Sequence, residues 1–291
     1  MKIVEKKFGS EILKMETGRL AKQSNGSVLV TFGDTVVLVA ATAEKGSGVN
    51  ADFFPLSVHY IEKAYAAGRI PGGFLKREAR LSDNETLISR IIDRPLRPAF
   101  EENYLAETVI TATVLSHDLV NPSDVAAMNG ASAALAISDI PFNNPLGGVR
   151  VGRIDGELLI NPSLKDLEKC DLNIFMAASK DAILMVEGEA NGVSEKDIID
   201  ALWFGQDSVL PIIEMQEELM KSVGKEKRSV EKKEVDQNLK KQLEKITPER
   251  LKKALSIQEK VERYEKLGLL LDELKQEVLG DNSDTEAEME L

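Results

Sequence analysis

Two apolar, β-branched runs, SVLVTF (27–32) and TVVLVAATA (35–43), meet at Gly33-Asp34. A two-residue turn of that kind joins antiparallel strands and commits the amino-terminal part of the chain to sheet. A third strand is predicted over 53–60. Asn121-Pro122-Ser123-Asp124 then opens an alanine-rich helix running to about Ser138, whose small side chains suit close packing under a sheet. Such a helix start could hold phosphate on free amides, but Ser and Asp there more commonly cap it. Strands are expected over 148–154, 157–160, 172–177 and 182–189. Ser194 with Asp197 caps another helix that continues, with a break at Pro211, towards Val223. Paired strands followed by helices indicate an α+β core over 1–223, not alternating βαβ units.

After this core the composition changes. GKEKRSVEKKEV has no apolar periodicity, so 224–239 reads as a charged linker. In 240–291, Thr247 caps a helix with Pro248 at its first position, and Leu251, Ala254, Val261, Tyr264, Leu267, Leu271, Leu274 and Val278 keep helical spacing. One long helix cannot make a core, so this apolar stripe needs a partner. The last stretch, DNSDTEAEMEL (281–291), is acidic throughout and is expected to fray.

A glycine-rich loop lies inside the core. Gly68, Gly72 and Gly73 flank Pro71 and make 69–80 an exposed connection carrying Phe74, Lys76 and Arg77. A stacking ring beside cations is the minimal kit for gripping a single-stranded nucleic acid; alternatively Phe74 packs inward and the cations are solvated. Ser82-Asp83-Asn84-Glu85 fits a capping box, so a helix should start near Asp83. Leu87, Ile88, Ile91 and Ile92 fall in one arc of it, and Arg90, Arg94 and Arg97 cluster beside them facing out. Pro95 disturbs the last turn and places Arg97 at or beyond its end.

Across the whole chain 37 basic residues face 49 acidic ones, a net charge of −12. That excludes a protein that coats nucleic acid over its entire surface, yet between residues 60 and 100 cations outnumber anions. An acidic body with one basic station suits a channel that holds a strand at one place. Cys170 is the single cysteine, so no internal disulfide forms, and it reads as a packed small side chain. His59 and His117 lack metal-ligand spacing. No apolar run is long enough to cross a bilayer and no signal-peptide core precedes the first strand, so a cytoplasmic location is expected.

Four blocks, GRLAKQSNGSVLVTFGDTVVLVAATA (18–43), FFPLSVHYIEKAYAAGRIPGGFLKREAR (53–80), ETLISRIIDRPLRPAF (85–100) and MNGASAALAISDIPF (128–142), closely resemble the amino-terminal part of bacterial polynucleotide phosphorylase. The likeness extends through nearly all of residues 1–225. It implies a ribonuclease PH-like core followed by part of an all-helical domain. In that family a second core, a KH module and an OB-fold module follow, and three chains close into a ring around an RNA channel. The resemblance implies that Phe74, Lys76 and Arg77 belong to the channel constriction, usually Phe-Phe-Arg-Arg, and that Arg90, Arg94 and Arg97 contact RNA. Leu75 and Lys76 replace the second Phe and first Arg here; lysine keeps the charge but loses the planar fork. No G-x-x-G occurs in the chain, so no KH module is expected in it.

The resemblance further implies phosphorolysis of single-stranded RNA from its 3′ end, with inorganic phosphate as co-substrate, Mg²⁺ as cofactor, a homotrimer, and a place in RNA-degradation assemblies and mRNA turnover. The family carries this chemistry on its second core, in a serine-rich loop and an Asp-x-Asp-x-Lys strand. The matching places here are Asn121-Pro122-Ser123-Asp124 and Asp171-Leu172-Asn173-Ile174-Phe175, with Asn173 and Phe175 where Asp and Lys would be needed. No catalytic or metal-binding residue is therefore assigned, and the isolated chain is expected to be inactive. Two other classes stay open: a non-catalytic RNA-binding or ring-scaffold module, and an unrelated α+β domain holding a small anion on Arg90 and Arg94.

Overall fold

Strands β1 (Lys2–Phe8) and β2 (Glu11–Thr17) pair antiparallel and start a six-stranded sheet. β3 (Gly26–Phe32) and β4 (Thr35–Ala43) follow as the hairpin that the sequence dictates, with Phe32 opposite Thr35. Gly33 has a φ of 59°, the left-handed conformation that such a turn needs and a side chain resists. β5 (Leu56–Ile61), α1 (Asp83–Leu96) and β6 (Thr108–Ser116) complete this layer in the order β1-β2-β3-β4-β6-β5. β5 runs parallel to β6, so α1 is the helical crossover that parallel neighbours require. β5 begins three residues later than 53–60 predicts. Pro55 has no N–H for a ladder, and the Phe54 ring packs on Phe100 and Tyr104 with centroids 4.6 and 5.5 Å away.

The computed structural model describes residues 1–9, 11–46, 53–73, 78, 80–142, 144–230 and 237–279. They form two units, Met1–Glu231 and Lys232–Leu291. In the first, α2 (Ser123–Ile137) is buried along its whole length. A four-stranded antiparallel sheet follows, built from β7 (Gly147–Ile154), β8 (Glu157–Ile160), β9 (Leu172–Ala178) and β10 (Ile183–Ala190) in the order β10-β9-β7-β8. The single turn α3 (Leu164–Leu167) lies between β8 and β9, and α4 (Glu195–Val223) follows β10.

Helix α2 touches β3, β4 and β6 of one sheet, β7 of the other, and α4, which is why it is apolar all round. A Cβ at Gly130 would come within 2.6 Å of Val39 and 2.8 Å of Val30, so the helix sits on the sheet through a missing side chain. Two polar clasps fix it to the second layer. Asn129 exchanges hydrogen bonds of 2.8 Å with the backbone of Gly148. Ser132 donates to Gln216, Gln216 donates to the Leu146 carbonyl, and the Leu146 N–H returns to Ser132.

Helix α4 starts at the Ser194 cap as expected, but runs through Pro211 without a break. The lost hydrogen bond is offset by Ile212, Ile213, Met215 and Leu219, which are buried in the turns beyond it. The stretch after α4, read as the opening of a linker, lies on the first unit as far as it is described. Lys225 N–H donates to Ile137, Lys227 Nζ donates to the carbonyls of Leu135, Ala136 and Ser138 at 2.8, 3.0 and 2.8 Å, and Arg228 pairs with Asp139. The Leu135 carbonyl already accepts the Ser138 N–H and hydroxyl, so this segment closes the carbonyls of Ala136, Ile137 and Ser138 at the end of α2.

Among its described residues the second unit holds three helices, α5 (Gln237–Ile246), α6 (Pro248–Leu255) and α7 (Lys260–Leu279), where the apolar spacing predicted one. Thr247 makes no cap. Its backbone is helical and its N–H donates to Leu243, while its hydroxyl is buried without a partner among the described residues. Ala254, Leu270 and Leu274 are buried, whereas Val261, Tyr264 and Leu271 of the predicted stripe stay exposed. Residues 281–291 lie outside the described residues. No helix among the described residues is long and apolar enough to cross a membrane.

Candidate nucleic-acid interface

Phe74, Lys76 and Arg77 lie outside the described residues, so the glycine-rich loop is defined by its two ends. Both converge on one carboxylate. Glu85 Oε1 accepts the Glu62 N–H at 2.9 Å and the Lys63 ammonium at 3.0 Å, and Oε2 accepts the Ser82 N–H at 2.7 Å. Ser82 Oγ accepts the Glu85 N–H in return, completing the predicted capping box. Burial pushes the Glu85 carboxyl upward, but the amides of Ser82 and Glu62 and the Lys63 ammonium outweigh it and hold it below the usual range. The loop is anchored again where His117 N–H donates to Ala66 and Ala64 N–H to Glu78.

On α1, Ile88, Ile91 and Ile92 are buried, while Leu87, at the margin of the apolar arc, is half exposed. The three arginines separate. Arg90 is exposed and makes no ion pair among the described residues. Arg94, one turn on, pairs with Glu187 of β10 at 2.7 Å. Arg97 is part-exposed too, but its guanidinium is engaged by the chain. It donates to the carbonyls of Phe54 and Leu56 at 2.8 and 3.1 Å, pairs with Asp93 at 2.8 Å, and lies 5.8 Å over the Phe54 ring. Arg97 begins the short turn Arg97–Ala99 that follows α1, and its donors tie that turn to the start of β5.

The start of α2 also differs from the sequence expectation. Its N-cap is Pro122, with no side-chain cap. Ser123 is instead hydrogen-bonded to the Tyr60 hydroxyl at 2.6 Å, and Tyr60 donates to Glu62 at 2.5 Å. Burial first, then Glu62, pushes the Tyr60 phenol up. Asp124 pairs with Arg150, whose guanidinium also donates to Asn173 Oδ1 at 2.8 Å and lies 5.6 Å over the Phe175 ring. The two segments read as degenerate thus meet in space, around an arginine that sequence spacing did not single out. One carboxylate already neutralised by a guanidinium, one amide and one aromatic ring do not fit a divalent cation. Among the described residues no group of three or more His, Cys, Asp or Glu could hold a metal. His117 Nδ1 accepts the Leu119 N–H, and Cys170 donates to the Asp166 carbonyl.

Residues 12–141 match domain 1 of the 3′ exoribonuclease family, and residues 144–208 match its domain 2. This chain belongs to the 3′ exoribonuclease family. The junction of the two matches falls between α2 and β7, so the 3′ exoribonuclease domains correspond to the two sheets that α2 holds together. The chain is 51% identical over 261 residues to the polyribonucleotide nucleotidyltransferase of Geotalea uraniireducens, covering 90% of this chain and 38% of that protein. To that of Geobacter sulfurreducens it is 49% identical over 286 residues, covering 98% and 41%. The chain therefore spans well under half the length of these curated relatives, and the likeness read from its sequence agrees with their name. The crystal structure of rice Rrp46 shares the fold, with a TM-score of 0.56 at 16% identity over 72% of this chain and 93% of the other.

Proposed function

We propose that this chain is the RNA-guiding part of a polyribonucleotide nucleotidyltransferase, acting in 3′-to-5′ phosphorolysis that releases nucleoside diphosphates during mRNA degradation. Support comes from the relatives at about half identity and, decisively, from Arg90 and Arg94 standing one turn apart on the exposed side of α1. That row is rooted by Glu85 beside the loop that carries Phe74, Lys76 and Arg77. Cations and a stacking ring read charge and shape instead of base edges, so binding is sequence-tolerant. Arg97 serves this surface indirectly, by holding the end of α1 to the start of β5. Mg²⁺ and inorganic phosphate act at groups in the part of the relatives that this chain does not match, because Asp124, Arg150, Asn173 and Phe175 offer no cation site. A cytoplasmic homotrimer with the channel at its centre, working alone or in an RNA-degradation assembly, completes the reading.

A phosphorolysis assay of the purified chain tests it, using end-labelled single-stranded RNA, Mg²⁺ and inorganic phosphate against a phosphate-free control. RNA bound but left intact is expected. Phosphate-dependent shortening would place catalysis in this core and overturn the division of labour. Binding without turnover, even when the remaining length of a relative is supplied, would favour a non-catalytic scaffold.

A further inference from the structure

Of the three arginines on α1 and the turn after it, Arg90 is unengaged among the described residues, and Arg97 has spent its donors on Phe54, Leu56 and Asp93. Arg94 stands between these cases. Its Nη1 lies 2.7 Å from Glu187 Oε2, with the two side chains 52% and 43% exposed. A pair this open to water is held weakly and exchanges readily. Glu187 lies on the edge strand β10, and Glu189, two residues on, projects from the same face. Glu189 is exposed too, but it meets Asn173 at 3.4 Å and not Arg94. An acidic strip thus borders the arginine row, and one of its members already occupies the guanidinium that the RNA reading needs.

We propose that Glu187 is an internal competitor for the RNA backbone, holding Arg94 until a phosphate oxygen displaces it. This rests on the RNA-binding reading above. Carboxylate and phosphate use the same guanidinium donors, so one leaves as the other arrives. Surrendering Arg94 lowers affinity for any ligand, and a polyanion with a further phosphate on Arg90 overcomes that cost where a single anion does not. The freed carboxylate also gathers a cation from solution, offsetting part of the counterion release that drives binding to RNA. Glu187 therefore weakens binding and flattens its salt dependence together.

The test is equilibrium binding of a fluorescently labelled short oligoadenylate to the full chain across a KCl titration. Glu187→Gln is expected to tighten binding about two- to fivefold, the range for freeing an exposed ion pair, and to steepen the salt slope by up to about 0.7. Glu189→Gln removes the same charge without touching Arg94 and should do less than half as much. In an Arg94→Ala background the Glu187→Gln gain should shrink to the size of the Glu189→Gln effect. Unchanged or weaker binding by Glu187→Gln, or equal gains from both glutamates, would overturn the proposal. Failure of the underlying reading looks different: Arg90→Ala would then leave affinity and salt slope unaltered.

Discussion

The Glu85 carboxylate accepts the Glu62 N–H at 2.9 Å, so the side chain that opens α1 also ends β5. Its other oxygen holds Ser82, twenty residues along the loop from Glu62. Glu85→Ala would leave both amides and the Lys63 ammonium without their acceptor in a buried place, a cost of about 2–4 kcal/mol. Glu85→Gln keeps the shape but turns one oxygen into a donor facing a donor, so it should recover only part of the loss. Urea unfolding of both variants checks the order; a Gln variant as stable as the parent would refute the two-ended clasp.

Arg90 on α1 and Arg97 in the turn after it are seven positions apart and should fail in opposite assays. Arg97→Ala removes hydrogen bonds to Phe54 and Leu56 and exposes the Phe54 ring, and is expected to cost about 1–3 kcal/mol of stability. Arg90→Ala should leave the melting temperature unchanged while weakening RNA binding and flattening its salt slope by about 0.7, one phosphate contact on a single strand. Thermal melts and salt-dependent binding of the pair separate the structural arginine from the gripping one.

Asp118 ties the β3–β4 turn to the start of α2. Its Oδ1 accepts the amides of Val120 and Asn121, and its Oδ2 accepts the Asn121 side chain and the Asp34 N–H. Burial raises its carboxyl, but hydrogen bonds with Asn121, Val120 and Thr35 outweigh burial and hold it at about 2. The native pKa lies below the unfolded one, so the stabilisation is complete above the ordinary carboxylate value. It fades as pH falls towards 2. The contribution is on the order of 1 kcal/mol after allowance for partial exposure. Asp118→Asn should therefore lower stability at neutral pH and flatten the acid limb of the stability profile, read by urea midpoints between neutral and acid pH.

What the sequence revealed was chemistry that acts between near neighbours. Gly33-Asp34 fixed a hairpin, Ser82 with Glu85 fixed the start of α1, and Ser194 with Asp197 fixed that of α4, because each pair satisfies amides within one turn. The misread features depend on distant partners. Arg97 looked free, but its donors are taken by Phe54 and Leu56, 43 and 41 positions away. Arg150 carried no local signal, yet it closes on Asp124 across 26 positions. Pro211 signalled a break that the buried turns beyond it overrode, and Thr247, well placed for a cap, was drawn into helical geometry by Leu243.

The segment after α4 is a further case, since Lys227 reaches the Ala136 carbonyl across 91 positions and that of Ser138 across 89. Helix α2 is buried throughout, so its last carbonyls have no water to turn to, and an unsatisfied buried carbonyl costs about 1–3 kcal/mol. Lys227→Met keeps the aliphatic stem and removes the donors, and is expected to destabilise the first unit by about 2–3 kcal/mol. A chain ending at 231 should then unfold cooperatively, while one ending at 223, which lacks Lys225, Lys227 and Arg228, should unfold earlier and more broadly. Equal midpoints for the two would mean that α2 needs no help from this segment, and that the charged run is only a tether.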